Sequence, residues 1–430
     1  MGVVKREAEL TFSNSGIAHI RTQRDLSPTT ARRRLSSAAA RGEVVRLFPG
    51  SYVAQTRWPD LDSFTDAARV QARFTQIRIQ AIALAQAHPE RVLTGAAAAL
   101  AHGLPLLDIP TKIELSSPTN RSSRTLTTDH KLLADLGFRT LADSAITTVE
   151  GARVTTLART AVDIAAAVPP RQLHHPDSFR RFAEALALCD ATVRGRVGTL
   201  GAEGTRAGRT RLFPEAASRF DPPDWDFDNA FPQLAAPRWR ALSAAEFLPH
   251  LRDQKGRLRG ARTEEIVVAA SPWSESVFES VVKALLIELS ISFVQQAKLL
   301  DEHNRVVARV DFLLPEWGII IECDGRIKYA PAPRADPWRD RRRDFQLTNL
   351  GYHLIHLTWK DVFSGAAAAL IRESISMATA DSADPDSGAD SPGAPASNGG
   401  GTPRRLPRGR WVDATTILPP EAYRDFRSSY

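Results

Sequence analysis

Two short apolar stretches that carry acidic residues constrain this chain more than any other feature. Residues 310–313 (VDFL) place Asp311 in a strand-like run, and residues 319–325 (IIIECDG) place Glu322 and Asp324 at the end of a second run. The second run is apolar enough for a buried central strand. Carboxylates in such a place are costly unless they coordinate a metal or take part in chemistry. If the two strands face each other, the three acids form a hard-oxygen site suited to Mg2+ or Mn2+.

The charge of the chain indicates which substrate such a site would act on. Metal sites of this kind hydrolyse phosphodiesters by activating water and stabilising the leaving oxygen. The 430 residues carry a net charge of +7, most of it from arginine, which favours nucleic acid as a partner. Arginine- and alanine-rich composition is also typical of proteins from GC-rich genomes. We therefore predict a metal-dependent nuclease domain joined to a DNA-binding module, with RNA as a further substrate class left open.

Composition also predicts the compartment. No apolar run reaches the ~18 residues of a membrane span, and residues 1–10 (MGVVKREAEL) lack the apolar core of a secretory signal. Cys189 and Cys323 lie far apart, without the spacing of metal ligands. We expect a cytoplasmic protein with reduced thiols and no membrane partner.

The N-terminal region has the sequence pattern of a winged helix-turn-helix. A short helix is predicted over residues 16–25 and a second over 29–40, with Ser27 as its N-cap and Pro28 at its first position. A hairpin is predicted to follow over residues 44–53.

Three arginines on the second predicted helix are the candidate DNA contacts. In this order of elements the second helix is placed to enter a major groove. The same charges would also suit a solvated helix face. The candidate residues are Arg32, Arg33 and Arg34.

Three segments of the first part of the chain resemble the AbiEi-type antitoxins of type IV toxin–antitoxin systems. They are residues 41–53 (RGEVVRLFPGSYV), 93–105 (LTGAAAALAHGLP) and 154–165 (VTTLARTAVDIA). The resemblance implies a winged-helix region over residues 1–60, an α/β region over 61–170 and a cognate toxin as partner.

The remainder of the chain divides by composition. Residues 171–265 are predicted to be a linker with local helices, and residues 266–372 a compact α/β unit. Residues 373–410 are rich in Asp, Ser, Gly and Pro and are predicted to be disordered. Residues 411–430 are predicted to form a C-terminal tail.

The α/β unit is predicted to begin with a helix capped by Ser274 and to end with further strands and helices. The predicted elements are a helix over 275–289, strands over 292–295, 306–313 and 318–322, a basic helix over 338–350 and a strand over 352–357.

This order of motifs resembles the PD-(D/E)XK nuclease superfamily, and more closely its very-short-patch-repair-like domains. The resemblance rests on residues 274–276 (SES), Asp311, residues 322–325 (ECDG) and residues 343–351 (RDFQLTNLG). It implies a restriction-endonuclease-like α/β domain with a central mixed sheet. The expected fold class is therefore multidomain α/β, with a winged helix-turn-helix, a middle α/β region and this nuclease-like domain.

The resemblance also implies roles for individual residues. Asp311 and Glu322 would hold Mg2+ or Mn2+, with the Cys323 carbonyl as a further ligand. Glu275 would orient water or complete the metal shell. Glu279 lies four residues later on the same helix face and is the rival candidate for that role.

The chain departs from the family pattern at one position that bears on activity. The family places lysine two residues after the glutamate, where this chain has Asp324. Lys328 could substitute for that lysine, or Asp324 could be a further metal ligand. The basic helix offers further phosphate contacts, namely Arg339, Arg342 and Arg343.

Purely structural roles also fit these patterns. An acid at a strand end can simply cap a helix or pair with an arginine, and a nuclease-like domain without its lysine can be inactive. The alternative function is an AbiEi-type antitoxin-like transcriptional regulator, against an endonuclease in phage defence or repair. Arg159 and Asp163, spaced i,i+4, are predicted to form a surface ion pair.

Overall fold

The computed structural model describes two compact units. It covers residues 10–14, 16–20, 23, 26–63, 66–117, 123–169, 176–195, 240–255, 260–324, 337–383 and 410–413. Of these, residues up to Ala270 form the first unit and residues from Ser271 form the second, with 176–179 grouped with the second. Both units contain helices and a mixed sheet, so the multidomain α/β class is confirmed. Lys328, residues 384–409 and residues 414–430 lie outside the described residues.

The first unit contains a small antiparallel sheet and a larger mixed one. Its strands are β1 Ile17–His19, β2 Val44–Phe48, β3 Ser51–Ala54, β4 Val92–Leu93, β5 Lys112–Ser117, β6 Arg124–Thr127, β7 Leu133–Phe138, β8 Ile146–Val149 and β9 Ala152–Thr155. The strand order is β1-β3-β2 in the small sheet and β6-β7-β5-β4-β9-β8 in the large one. The helices are α1 Pro28–Ala40, α2 Asp66–Ala87, α3 Gly95–His102, α4 Leu157–Ala167, α5 Pro176–Arg194, α6 Ala244–Arg252 and α7 Gly260–Val268.

The predicted arginine-bearing helix and the hairpin are confirmed. The Ser27 hydroxyl accepts a hydrogen bond from the Thr30 N–H at 3.2 Å, which caps α1, and Pro28 is its first residue. Gly42 follows the helix with a φ of +75°, a conformation that glycine adopts without strain. β2 and β3 then pair as the predicted hairpin.

The helix predicted to start at residue 16 is wrong in its described part. Ile17–His19 form β1, with Ile17 opposite Val53 and His19 opposite Ser51. The pairing satisfies backbone hydrogen bonds and buries Ile17, whereas a helix this short is marginal in isolation. The described residues therefore run strand, helix, hairpin, and a winged helix-turn-helix remains a proposal.

The Arg159–Asp163 pair, predicted to be exposed, is buried. The two side chains are 4% and 2% exposed, and the Arg159 Nε–Asp163 Oδ1 distance is 2.9 Å. Arg139 also contacts Asp163 at 2.7 Å, and Arg159 contacts Asp253 at 3.1 Å. The spacing along α4 predicts that Arg159 and Asp163 form a pair, but it does not show whether the pair is exposed. The packing of α6 and α7 on α4 buries it. Burial raises the pKa of Asp163 more than the two arginines lower it, so the net shift is upward.

Three helices lie in the region predicted to be a linker. α5, α6 and α7 are the local helices expected there, as far as the described residues extend. Each helix in the described part of the chain is too short or too polar to cross a lipid bilayer.

The second unit is built on a five-stranded mixed sheet. Its strands are β10 Val294–Leu300, β11 Val306–Leu314, β12 Ile319–Cys323, β13 His353–Leu357 and β14 Arg410–Val412. Their order is β13-β12-β11-β10-β14; β12 and β13 are parallel and the other pairs antiparallel. The helices are α8 Val277–Glu288, α9 Pro337–Asn349, α10 Trp359–Ser364 and α11 Ala366–Ala383. Leu347 of α9 packs with Val310 and Ile320 in the core.

Several element boundaries differ from the predicted ones. The cap of α8 is Ser276, whose hydroxyl accepts from the Glu279 N–H at 3.1 Å. Ser274, the predicted cap, instead accepts from the Gln295 amide at 3.1 Å. α11 continues past residue 372 to Ala383, and β14 adds a strand at the β10 edge. The contact between Ser274 and Gln295 and the pairing of β14 with β10 both join segments distant in the chain. The local sequence pattern shows neither of them.

The buried network around Asp163 gives a prediction about stability. Asp163→Ala leaves Arg139 and Arg159 without their shared carboxylate, so it should lower the free energy of unfolding by about 3–5 kcal/mol. Urea denaturation measures this change. The control is Glu43→Ala, which breaks an exposed pair with Arg41 and should change stability far less. Equal losses in the two variants would contradict the network.

Candidate functional site

Three ionisable side chains lie in one row across the second sheet. The antiparallel β11–β12 ladder pairs Phe312 with Ile321. One step further along this register, Asp311 lies opposite Glu322. The β12–β13 ladder pairs Glu322 with His356. Because directly paired residues project from the same face of a sheet, the row places the three side chains side by side.

Asp311 is held by two donors at the end of its ladder. The Cys323 main-chain N–H donates to Asp311 Oδ2 at 2.8 Å. The Gln296 amide approaches Asp311 Oδ1 at 3.5 Å, near the limit for a hydrogen bond. Burial raises the pKa of Asp311, and the nearby Glu275 carboxylate raises it further. The carboxyl group is thus fixed in position, and burial shifts its pKa upward.

Glu279, the rival helix carboxylate, belongs to the same cluster. It is 6% exposed, and its Oε2 accepts from the Gln296 amide at 3.0 Å and from the Glu275 N–H at 2.8 Å. The Ser276 hydroxyl donates to its Oε1 at 2.9 Å. Burial, followed by repulsion from Asp311, raises its pKa well above the ordinary value. Gln296 therefore links Glu279 and Asp311.

Gln296 makes this link from a strained backbone position. Its φ is +53°, inside β10 and directly across from Asp311, between the pairs Gln295–Phe312 and Ala297–Val310. Left-handed backbone costs a non-glycine residue about 1–2 kcal/mol, and such strain clusters at functional sites. The strain turns its side-chain amide toward the two carboxyl groups.

Glu322 carries the clearest electrostatic signature. It is opposed by Arg343 of α9, whose Nη2 donates to Glu322 Oε1 at 2.7 Å and to the Arg309 carbonyl at 2.8 Å. Burial, followed by repulsion from Asp311, nevertheless raises the pKa of Glu322 to about 7. The side chain can therefore exchange a proton near neutral pH.

Glu275, the predicted catalytic acid of the helix, is paired with Arg309. The pair joins the residue that precedes the α8 cap to β11. This contact occupies Glu275 and leaves Glu279 as the carboxylate linked to Asp311. The structure brings both candidates near the row but gives them different partners.

The structure describes some of the other predicted site residues of the second unit. Asp324 is exposed just after β12, and its N–H donates to the Leu357 carbonyl at 2.8 Å. Arg342 is exposed on α9, whereas Arg343 faces Glu322. Arg339 lies on α9, where its side chain is outside the described part, and Lys328 is outside it altogether.

The donor set suits a hard divalent cation. Asp311, Glu322 and the Cys323 carbonyl would supply oxygen ligands of the kind that Mg2+ and Mn2+ prefer, and waters usually complete such shells. Clustered carboxyl groups with raised pKa values are also the electrostatic condition that a cation relieves. Within the described ranges, no group of three or more His, Cys, Asp or Glu side chains is already arranged around a common centre.

Sequence reasoning missed two contributors to the row. Gln296 had no signal, because its role depends on a backbone φ. His356 had no signal either, and the neighbouring His353 contacts a different helix. His353 bonds Ser374 at 3.2 Å, and His356 lies 3.3 Å from Asp344. The register of parallel strands, not spacing along one strand, brings His356 beside Glu322.

Comparisons with protein-family models, with curated proteins and with solved structures gave no match.

The raised pKa of Glu322 predicts how stability depends on pH. Its folded-state pKa of about 7 exceeds the ~4.3 of an unfolded glutamate. The stabilising effect of the bound proton is complete below the unfolded pKa and is lost as pH rises through 7. Glu322→Gln should therefore gain stability relative to wild type by roughly 3 kcal/mol between pH 4 and pH 8.

Urea denaturation at several pH values measures this difference. Glu302→Gln, which removes the same charge from an exposed turn, is the matched control. Parallel pH dependence in wild type and Glu322→Gln would show that Glu322 is not the group responsible.

Proposed function

We propose that the second unit is a metal-dependent endonuclease that hydrolyses phosphodiester bonds in DNA, and that the first unit helps to bind the DNA. The observation that carries this proposal is the row of Asp311, Glu322 and His356 on three adjacent strands, beside the buried Glu279. Carboxyl groups with raised pKa values that converge on a few side chains are typical of functional sites.

Asp311 and Glu322 would hold Mg2+ or Mn2+, together with the Cys323 carbonyl. The bound metal would supply a nucleophilic water at neutral pH and positive charge beside the leaving oxygen. Glu279, rather than Glu275, is the helix carboxylate we assign to this site, because Gln296 links it to Asp311.

His356 takes the proton-transfer role that the absent lysine would have had. Its ring is half exposed, so water can reach it, and Asp344 orients it from 3.3 Å away. Its place beside Glu322 suits it to accept the proton of the attacking water. Arg343, already at Glu322, then offers its guanidinium to the phosphate whose negative charge increases during attack.

A second candidate function is a DNA-binding regulator of the antitoxin type with an inactive nuclease-like unit and a cognate toxin. The observation that favours it is the neutralisation of two carboxylates by arginine. Glu322 pairs with Arg343 and Glu275 pairs with Arg309, while Asp324 stands where the nuclease family has lysine.

Cleavage of supercoiled and of single-stranded DNA with Mg2+ or Mn2+ separates the two functions. Wild type should nick the plasmid, and Asp311→Ala should abolish nicking because the first metal ligand is gone. Glu302→Gln should cleave like wild type. If wild type binds duplex DNA but does not cleave it, the regulator is the better description.

Chemical rescue tests the role of His356. His356→Gly should slow cleavage by about 10²–10⁴-fold, and added imidazole should restore part of the rate, since the site is open to solvent. His303→Gly, in an exposed turn, should need no rescue. A slow variant that imidazole does not restore would assign His356 a structural role instead.

A further inference from the structure

A cavity of about 800 Å³ lies in the first unit, away from the row of acids. It is bounded by α1, the turn between β2 and β3, the end of α2, and β6. Its volume falls in the range of small-molecule sites. Among the described residues that line it there are two arginines and two histidines and no aspartate or glutamate, namely Arg32, Arg46, His19 and His88. The lining itself is therefore basic, while Asp129 contacts Arg46 and Glu90 contacts His88 from outside it.

The cations reach the cavity from two elements. Arg32 and Ser36, one helical turn apart on α1, both line it, and Arg46 lines it from β2. Arg46 is half exposed and is held by Asp129 at 3.1 Å. Guanidinium groups beside a hydroxyl are the donors that bind phosphate oxygens.

The rest of the lining includes a buried, hydrogen-bonded histidine and apolar side chains. His19 is buried, and its two ring nitrogens lie 2.7 Å from the Ser51 hydroxyl and 3.1 Å from the Gln86 side-chain oxygen. Leu84 and Leu126 contribute apolar wall. A ligand with an anionic end and a flat, weakly polar body matches this combination.

Arg32 and Arg33 differ in whether they line the cavity. Both side chains are exposed on α1. Arg32 and Ser36 line the concave space together with residues of α2 and β6, whereas Arg33 is not part of the lining.

We propose that this cavity binds a nucleoside phosphate, with Arg32 and Arg46 on the phosphate and the apolar wall against the base. The nucleoside phosphate is either a free nucleotide or the 5′-terminal nucleotide of a nucleic-acid strand. This site is additional to the nuclease row and does not depend on it.

Calorimetric titration of the full chain tests the proposal with three probes. They are deoxyadenosine monophosphate, a short single-stranded oligonucleotide with a 5′-phosphate, and the same oligonucleotide without it. Arg32→Ala should weaken binding of the phosphorylated probes by about tenfold or more. Arg372→Ala, which removes the same charge from an exposed position on α11, should leave it unchanged. Ser36→Trp, which places a bulky ring at the cavity, should also block binding.

The probes distinguish the two sources of the ligand. Binding of the mononucleotide identifies a free nucleotide, and binding of the phosphorylated oligonucleotide alone identifies a strand end. Absence of binding to wild type, or equal losses in Arg32→Ala and Arg372→Ala, would overturn the proposal. Plasmid nicking by the same Arg32→Ala protein is scored separately, so failure of this site and failure of the nuclease remain distinguishable.

Discussion

Removal of carboxyl groups from water is the constraint on which the second unit depends. Burial is the largest cause of the raised pKa of Glu279, Asp311 and Glu322. Repulsion from Asp311 adds to it for Glu279 and Glu322, and repulsion from Glu275 adds to it for Asp311. Four hydrogen-bond donors stabilise the buried carboxyl groups. They are the Cys323 N–H, the Gln296 amide, the Ser276 hydroxyl and the Arg343 guanidinium. These donors connect β10, β11 and β12 with the start of α8 and with α9. An arrangement this costly is typical of a site that binds a cation or moves a proton.

The strained residue in this arrangement, Gln296, contacts the carboxyl groups and is left out of the strand pairing. Gln296 interrupts the pairing of β10 with β11 and adopts a φ of +53°. A glycine would accept that conformation without strain but could not donate to Glu279. The sheet thus gives up some stability where the site gains a fixed donor, which is the usual relation between strain and function.

The two units differ in how far local pattern predicted them. In the second, the apolar runs around Asp311 and Glu322 predicted two strands and their pairing, because period and burial agree there. In the first, Ser27 and Pro28 predicted the start of α1, but the segment before it forms β1 through contacts with β3. Short segments take the structure that their tertiary partners impose.

The sequence by itself determined the acidic strand ends, the capped arginine helix and the mixed α/β character of this protein. These features depend on residues near one another in the chain, where spacing and capping chemistry suffice. Tertiary structure alone decided that Glu279 rather than Glu275 is linked to Asp311, that His356 stands beside Glu322, and that Arg32 faces a cavity. Each of these depends on strand register or helix packing between distant segments, which no local pattern specifies.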